Sequence, residues 1–154
     1  MGVYAISRND DVAVVYINDP FSSGLTACDI FAAVADFGID VNMIIQTVSV
    51  SNRASDIIFS VDRGCVGALR AVFVKIFGGR EGCEIRIDES MTQITVMGDE
   101  MQGKPRVAAK VLHCLWDSGI DIANVSIGEI GVSMLVDEKE ANAAMDCISR
   151  NFDI

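Results

Sequence analysis

Two stretches of the chain, "DFGIDVNMI" from Asp36 to Ile44 and "DSGIDIANV" from Asp117 to Val125, spell nearly the same phrase 81 positions apart (117 minus 36). In a chain of 154 residues such a period points to a duplicated unit, each copy near the small end of the roughly 50 to 250 residues that domains usually hold. The duplication extends upstream. Ala27, Ile30, Phe31 and Val34 fall at i, i+3, i+4 and i+7, the apolar stripe of a helix, and adding 81 gives Ala108, Val111, Leu112 and Leu115, again all apolar. Each predicted helix runs into a glycine, Gly38 or Gly119, where a left-handed cap meets no Cβ clash. A β-branched strand start follows each, "IDVNMII" or "IDIANVSI".

Working outward, "DVAVVYI" at 11 to 17 and "TQITVMG" at 92 to 98 read as strands ahead of the two helices. Ile57 to Val61 and Val132 to Val136 read as third strands. Asp62 and Asp137 then open second helices, with Leu69, Val72, Phe73 and Ile76 in one and Ala141, Ala144, Met145, Ile148 and Phe152 in the other. The order is βαββα, twice, and "CEIRI" at 83 to 87 closes the first copy as βαββαβ, a ferredoxin-like unit of the α+β class. The second copy ends two residues after Phe152 without a closing strand, while "VYAIS" at Val3 to Ser7 is left over at the other end. The leftover strand is therefore expected to complete the second sheet and to remove its open edge. That arrangement inserts the first unit, residues 8–88, into a discontinuous second one, residues 1–7 plus 89–154. The copies differ in one loop. The offset falls from 81 to 75 (137 minus 62) across "VSVSNRASD", so the first copy carries six extra residues there.

Composition narrows the classes. Apolar residues make up 51% of the chain and mean hydropathy is +0.37, ample for two cores, while no apolar run is long enough to span a bilayer. No signal-peptide pattern opens the chain, and the five cysteines, 28, 65, 83, 114 and 147, form no CxxC pair, so a cytoplasmic protein with reduced thiols is expected. A net charge of −10 and a pI near 4.4 repel polyanions, which disfavours nucleic acid and anionic membrane surfaces as partners. RNA recognition would also need aromatic residues on central strands and a basic face, and the chain has only ten aromatic residues (seven Phe, two Tyr, one Trp). No glycine-rich phosphate loop and no acidic cluster for Mg²⁺ is evident, so phosphoryl transfer by these residues is not expected. His113, the single histidine, lies off the apolar stripe; Cys28 and Cys114 sit beside core positions and read as small apolar residues.

The tandem units, the opening "GVYAISRNDDVAVVYI", the paired "GID" strand starts, "KPRVAAKVL" and "VSIGEIGVSMLVDEKEANAAMDCISRNF" together resemble the C-terminal regulatory region of aspartokinases, a pair of ACT domains. The resemblance covers essentially the whole chain. It implies a role: such pairs bind an end-product amino acid, lysine, threonine or both, and switch off a kinase that phosphorylates aspartate. It also implies insertion of the first ACT domain into the second, a homodimer, a kinase catalytic domain in the same chain or a separate subunit, and no cofactor in this chain.

An amino-acid effector presents a carboxylate and an ammonium. Backbone amides and the positive end of a dipole at a helix start suit the carboxylate; an acid or amide at a strand start suits the ammonium. In the first unit these elements are Ser22, Ser23 and Gly24, with Thr26 at the helix start, and Asp40, Val41, Asn42 and Gln46 on the following segment. By resemblance Gln46 matches an effector-contacting glutamine, and Asp121 and Ile122 match positions that reach the effector from the partner domain. Plainer readings stand beside these: Ser22 or Ser23 as an N-cap, Asp40 and Asp121 as solvated strand starts, Gln46 as an exposed strand residue. The family helix begins with Pro-Gly, whereas Leu25 and Arg106 occupy the glycine position here, so the second unit is expected to be degenerate. A structural ACT pair that dimerises without a ligand is the alternative.

Overall fold

The structure, a computed structural model, describes residues 3–18, 26–48, 55–78, 84–98, 105–128 and 131–152. The chain divides into an inserted unit, Asp11–Glu89, and a split unit, Met1–Asp10 with Ser90–Ile154.

The inserted unit contains β2 (Ala13–Asn18), α1 (Ala27–Asp36), β3 (Met43–Val48), β4 (Ser55–Val61), α2 (Val66–Phe77) and β5 (Glu84–Asp88). Its antiparallel sheet has the order β3-β4-β2-β5, with Val15 opposite both Phe59 of β4 and Ile87 of β5. Alternation along β2 sends Ala13, Val15 and Ile17 into the core, where Ile30 and Val34 of α1 and Leu69, Val72 and Phe73 of α2 meet them. Four phenylalanines run through this core. Phe31 lies 5.3 Å from Phe59, Phe59 6.4 Å from Phe73, and Phe73 5.8 Å from Phe77, all edge to face. Such contacts add about 0.5–1.5 kcal/mol per pair beyond area burial.

The split unit is built from β1 (Val3–Asn9), β6 (Met91–Gly98), α3 (Pro105–Asp117), β7 (Ile122–Ile127), β8 (Gly131–Asp137) and α4 (Ala141–Phe152). Its sheet order is β1-β6-β8-β7, so β1 stands where β5 stands in the inserted unit. The β1–β6 ladder pairs Ile6 with Val96 and Asn9 with Gln93, and Val3 and Ile6 pack on a core of Ile94, Val96, Val111, Leu115, Val132, Met134 and Ile148. Arg8 extends the tie beyond the sheet: its Nη1 donates to Asn142 Oδ1 of α4 at 2.6 Å, and its Nη2 donates to Asp10 Oδ1 at 2.8 Å. Both units are thus four-stranded antiparallel sheets with two helices each, the α+β ferredoxin-like pattern with one unit inserted in the other.

Local structure departs from the sequence pattern at three places. The second helices do not start directly at Asp62 and Asp137; each aspartate precedes a 3₁₀ turn, Arg63–Cys65 or Glu138–Glu140, that tightens into the α-helix. The strand after Gly38 begins at Met43, not at Ile39. The backbone amide of Asn42 bonds Ser60 O at 2.9 Å, and the ladder starts beside that anchor. Cys28 is exposed, because it sits one position off the stripe begun by Ala27.

Phe59 is fully buried and touches two of the other rings, so Phe59→Ala leaves a cavity that the sheet cannot collapse to fill. A loss of about 3–5 kcal/mol is expected for the inserted unit. Urea unfolding followed by hydrogen exchange on Val15 and Val72 would measure it, and a change below 1.5 kcal/mol (about half the lower bound) would contradict the packing described.

Candidate functional site

The start of α1 is closed by its own side chains. Thr26 is the N-cap, with extended φ −100° and ψ 165°. Its Oγ1 accepts from the Asp29 amide at 3.2 Å, and the Thr26 amide donates to Asp29 Oδ2 at 2.9 Å, a reciprocal capping box. The cap is therefore Thr26 rather than Ser22 or Ser23; those two, with Gly24 and Leu25, lie outside the described residues. The amides of Ala27 and Cys28 have no partner among the described residues. The Asp29 carboxylate already occupies part of the helix's positive end, which lowers the attraction this terminus offers a second carboxylate.

At the far end, α1 finishes through Gly38, whose φ of +71° is the left-handed region that Cβ disfavours. The Gly38 amide bonds Ala35 O at 2.9 Å and the Ile39 amide bonds Val34 O at 3.3 Å, so Ile39 drops into the core and Asp40 is turned to solvent. Val41 packs against the core, and Asn42 Nδ2 donates to Asp62 Oδ1 at 3.3 Å. Gln46 lies exposed on the edge strand β3, two residues beyond the exposed Ile44. Thr26 and Asp40 are thus separated by the length of a ten-residue helix, about 15 Å at 1.5 Å per residue. One free amino acid cannot bridge them, because the two elements expected from the sequence lie at opposite ends of α1.

The split unit repeats the turn with different consequences. Gly119 has φ +72°, the Ile120 amide bonds Leu115 O at 3.0 Å, and Asp121 is again exposed while Ile122 packs on the core. Asp121 and Ile122 line two clefts. One, of about 360 Å³, includes Met91, Asp137, Lys139 and Glu140; the other, of about 400 Å³, includes Leu112, His113 and Trp116. Ala123 stands where the inserted unit has Asn42 (42 plus 81), so Asp137 has no amide partner there and instead accepts from the Lys139 amide at 2.9 Å. Trp116 is 76% exposed, a large apolar surface that lines the second of these clefts. Lys139 and Glu140 were not singled out from the sequence; their signal was the "VDEK" helix start, which reads as ordinary capping. Arg106 is exposed in the first turn of α3, adding bulk and positive charge to a helix start that favours anionic groups.

His113 is 74% exposed and 3.6 Å from Asp117. Among the described residues no group of three or more His, Cys, Asp or Glu is placed to hold a metal ion. No described helix is long and apolar enough to cross a membrane.

Comparison with known proteins gives this geometry a context. The ACT domain family matches residues 94–152. An aspartokinase of Geobacillus stearothermophilus is 32% identical over 123 residues, covering 80% of this chain and 29% of its own length. The chain spans about a third of the curated relatives it matches. A structure of aspartokinase alpha and beta subunits superposes with a TM-score of 0.85 at 29% identity, covering 99% of both chains. The ligand-free regulatory subunit of aspartate kinase from Thermus thermophilus gives 0.88 at 21% identity, again with 99% of both covered. E. coli aspartokinase III in complex with lysine and aspartate gives 0.71 at 15% identity, over 97% of this chain and 33% of that one.

The capping box makes a local prediction. Thr26→Ala is expected to destabilise the inserted unit by about 1 kcal/mol, and Asp29→Ala by a similar amount. Each variant removes a different bond, Thr26→Ala the one from the Asp29 amide and Asp29→Ala the one from the Thr26 amide, so the losses should add in the double variant. No loss of stability for either single variant in chemical denaturation would show that the reciprocal bonds do not form.

Proposed function

Because this chain is a tandem-ACT regulatory region of the aspartokinase kind, corresponding to the regulatory part rather than the kinase part of that family, we propose that it binds an end-product amino acid, lysine or threonine or both, and thereby sets the activity of an aspartate kinase catalytic domain. The observation that carries the reading is the end-to-end correspondence with a solved aspartokinase subunit at 29% identity. The lysine held by the superposable E. coli aspartokinase III is consistent with the class of ligand. Control of this type belongs to the cytoplasm, where the amino acid accumulates.

The separation of about 15 Å between Thr26 and Asp40 bears on how such a site is assembled. In this reading the effector carboxylate takes the Ala27 and Cys28 amides, with Ser22, Ser23 and Gly24 around it. Its ammonium takes a carboxylate from a different unit, Asp40 and Asn42 or Asp121 and Ile122 of a second copy. The edge strands β3 and β7 expose Ile44 at 54% and Ile127 at 51%, apolar area suited to pairing the first unit of one copy with the second unit of the other. Gln46, on β3, would then face the joint. The effector acts by binding one arrangement of this homodimer more tightly than the other, which is the condition for any allosteric effect. Arg106 makes the start of α3 a poor second carboxylate site, so one class of site per unit pair is proposed.

A second reading has its own observation. Asp29 already neutralises the start of α1, and Arg106 obstructs the start of α3, which fits an ACT pair that dimerises without a ligand.

Titration calorimetry with lysine and threonine, separately and together, distinguishes the two. Binding is expected, with a rise in Tm corresponding to about 2.7 kcal/mol at a ligand concentration one hundred times Kd. Asp40→Asn and Asp121→Asn should each weaken binding roughly tenfold, about 1.4 kcal/mol. No heat and no thermal shift up to millimolar ligand would favour the ligand-free pair.

A further inference from the structure

Cys114 of α3 and Cys147 of α4 are both buried and face each other in the split unit. The Cys147 thiol donates to the Cys114 carbonyl oxygen at 3.1 Å, and the Cys114 thiol donates to Val111 O at 3.2 Å. They are not sealed in. Both line a cleft of about 350 Å³ together with Asp117, Ser118, Arg150 and Asn151.

The duplicated fold provides an internal control. Subtracting 81 on α3 and 75 on α4 places Ala33 and Val72 of the inserted unit at the positions of Cys114 and Cys147. The same offsets place Phe37 and Ile76 where Ser118 and Asn151 stand. Helix packing at this site is thus achieved in one copy by apolar side chains alone. The split unit substitutes two sulfurs and gives one of them polar neighbours: Ser118 Oγ is 3.3 Å and Asn151 Nδ2 3.9 Å from Cys147 Sγ. Both neighbours can donate to a sulfur anion, and Arg150 adds positive charge to the same cleft.

We propose that Cys114 and Cys147 form a redox-active thiol pair that a small hydroperoxide converts to a disulfide linking α3 to α4. Cys147 is the attacking sulfur. Its thiolate displaces on one peroxide oxygen, the O–O bond breaks, and the leaving alkoxide takes a proton, giving a sulfenic acid at Cys147 and an alcohol. The Cys114 sulfur then attacks the Cys147 sulfur, the S–O bond breaks, and the departing hydroxide takes the Cys114 proton as water. Two thiols lose two electrons to the peroxide. Burial, together with the hydrogen bond to Cys147, pushes Cys114 up to about 12, which keeps it protonated and assigns it the second step. A transient bond of this kind suits a reducing compartment. It would join the two helices flanking the Asp121 cleft, since α3 leads through Gly119 to Asp121 and α4 follows Lys139 and Glu140.

The test is hydrogen peroxide treatment of the full chain followed by non-reducing peptide mass mapping. A Cys114–Cys147 cross-link with a loss of about 2 Da is expected, with a rise in Tm of several degrees, both reversed by a dithiol reductant. Cys114→Ala should trap a dimedone-reactive sulfenic acid at Cys147, and Cys147→Val should leave Cys114 unreacted; each introduces the residue the other copy carries at that position. The exposed Cys28 reports that oxidant was delivered. Cys28 oxidised while the pair stays reduced, or Cys114 oxidised equally well in the Cys147→Val variant, would overturn the proposal.

Discussion

Two left-handed glycines set the geometry on which both units rely. At Gly38 and Gly119 the chain leaves a helix at φ +71° and +72°, and the following isoleucine is driven into the core while the aspartate after it is left in solvent. The three-residue phrase is therefore one mechanical device. Glycine reverses direction, isoleucine locks the reversal by burial, and aspartate is presented at a fixed point beside the start of a strand. A side chain at the glycine would meet no neighbouring atom within 4 Å in either copy, so the requirement is one of backbone conformation and not of space.

Much of the architecture was legible because duplication let each copy check the other. The stripes through Ile30 and Val34 and through Val111 and Leu115 are buried as their spacing demands, and the leftover N-terminal strand lies beside β6. The misses have local causes. Thr26 with Asp29 is a capping box written with aspartate in place of the usual glutamate or glutamine, and Ser22 and Ser23, at least as good a cap by residue type, stand just before it in the sequence. Asp62 accepts from the Asn42 side chain and makes no cap hydrogen bond in its own turn, whereas Asp137 accepts from the Lys139 amide. No periodicity reports such side-chain exchanges. The candidate site was legible as a set of residue types and not as a distance, since only the folded helix shows Thr26 and Asp40 at opposite ends.

The two copies have diverged most where one face must do something besides pack. The α1–α2 pair carries Ala33 and Val72 at the positions of the two cysteines, and Lys75 lies 5.7 Å over the Phe37 ring. The matching contact between α3 and α4 holds sulfur, hydroxyl and amide groups. Likewise the strand start that carries Asn42 in one copy carries Ala123 in the other, opening a cleft beside Asp121. Divergence within a shared frame separates what the fold needs from what it merely permits.

The origin of β1 has a consequence for the order of assembly. Every strand of the inserted unit lies within Asp11–Glu89, so on a growing polypeptide that unit can form as soon as its own residues are available. The split unit cannot. Its closing strand is made first and its pairing partner about 90 residues later, Val3 opposite Gly98, so a ladder of high sequence separation must wait for the rest of the sheet. During that interval β1 is an unpaired edge, and a neighbouring nascent chain presents the same β6 that it is waiting for. Exchange of β1 between two copies would reproduce the β1–β6 ladder in each, which makes β1 the natural point at which two molecules become entangled.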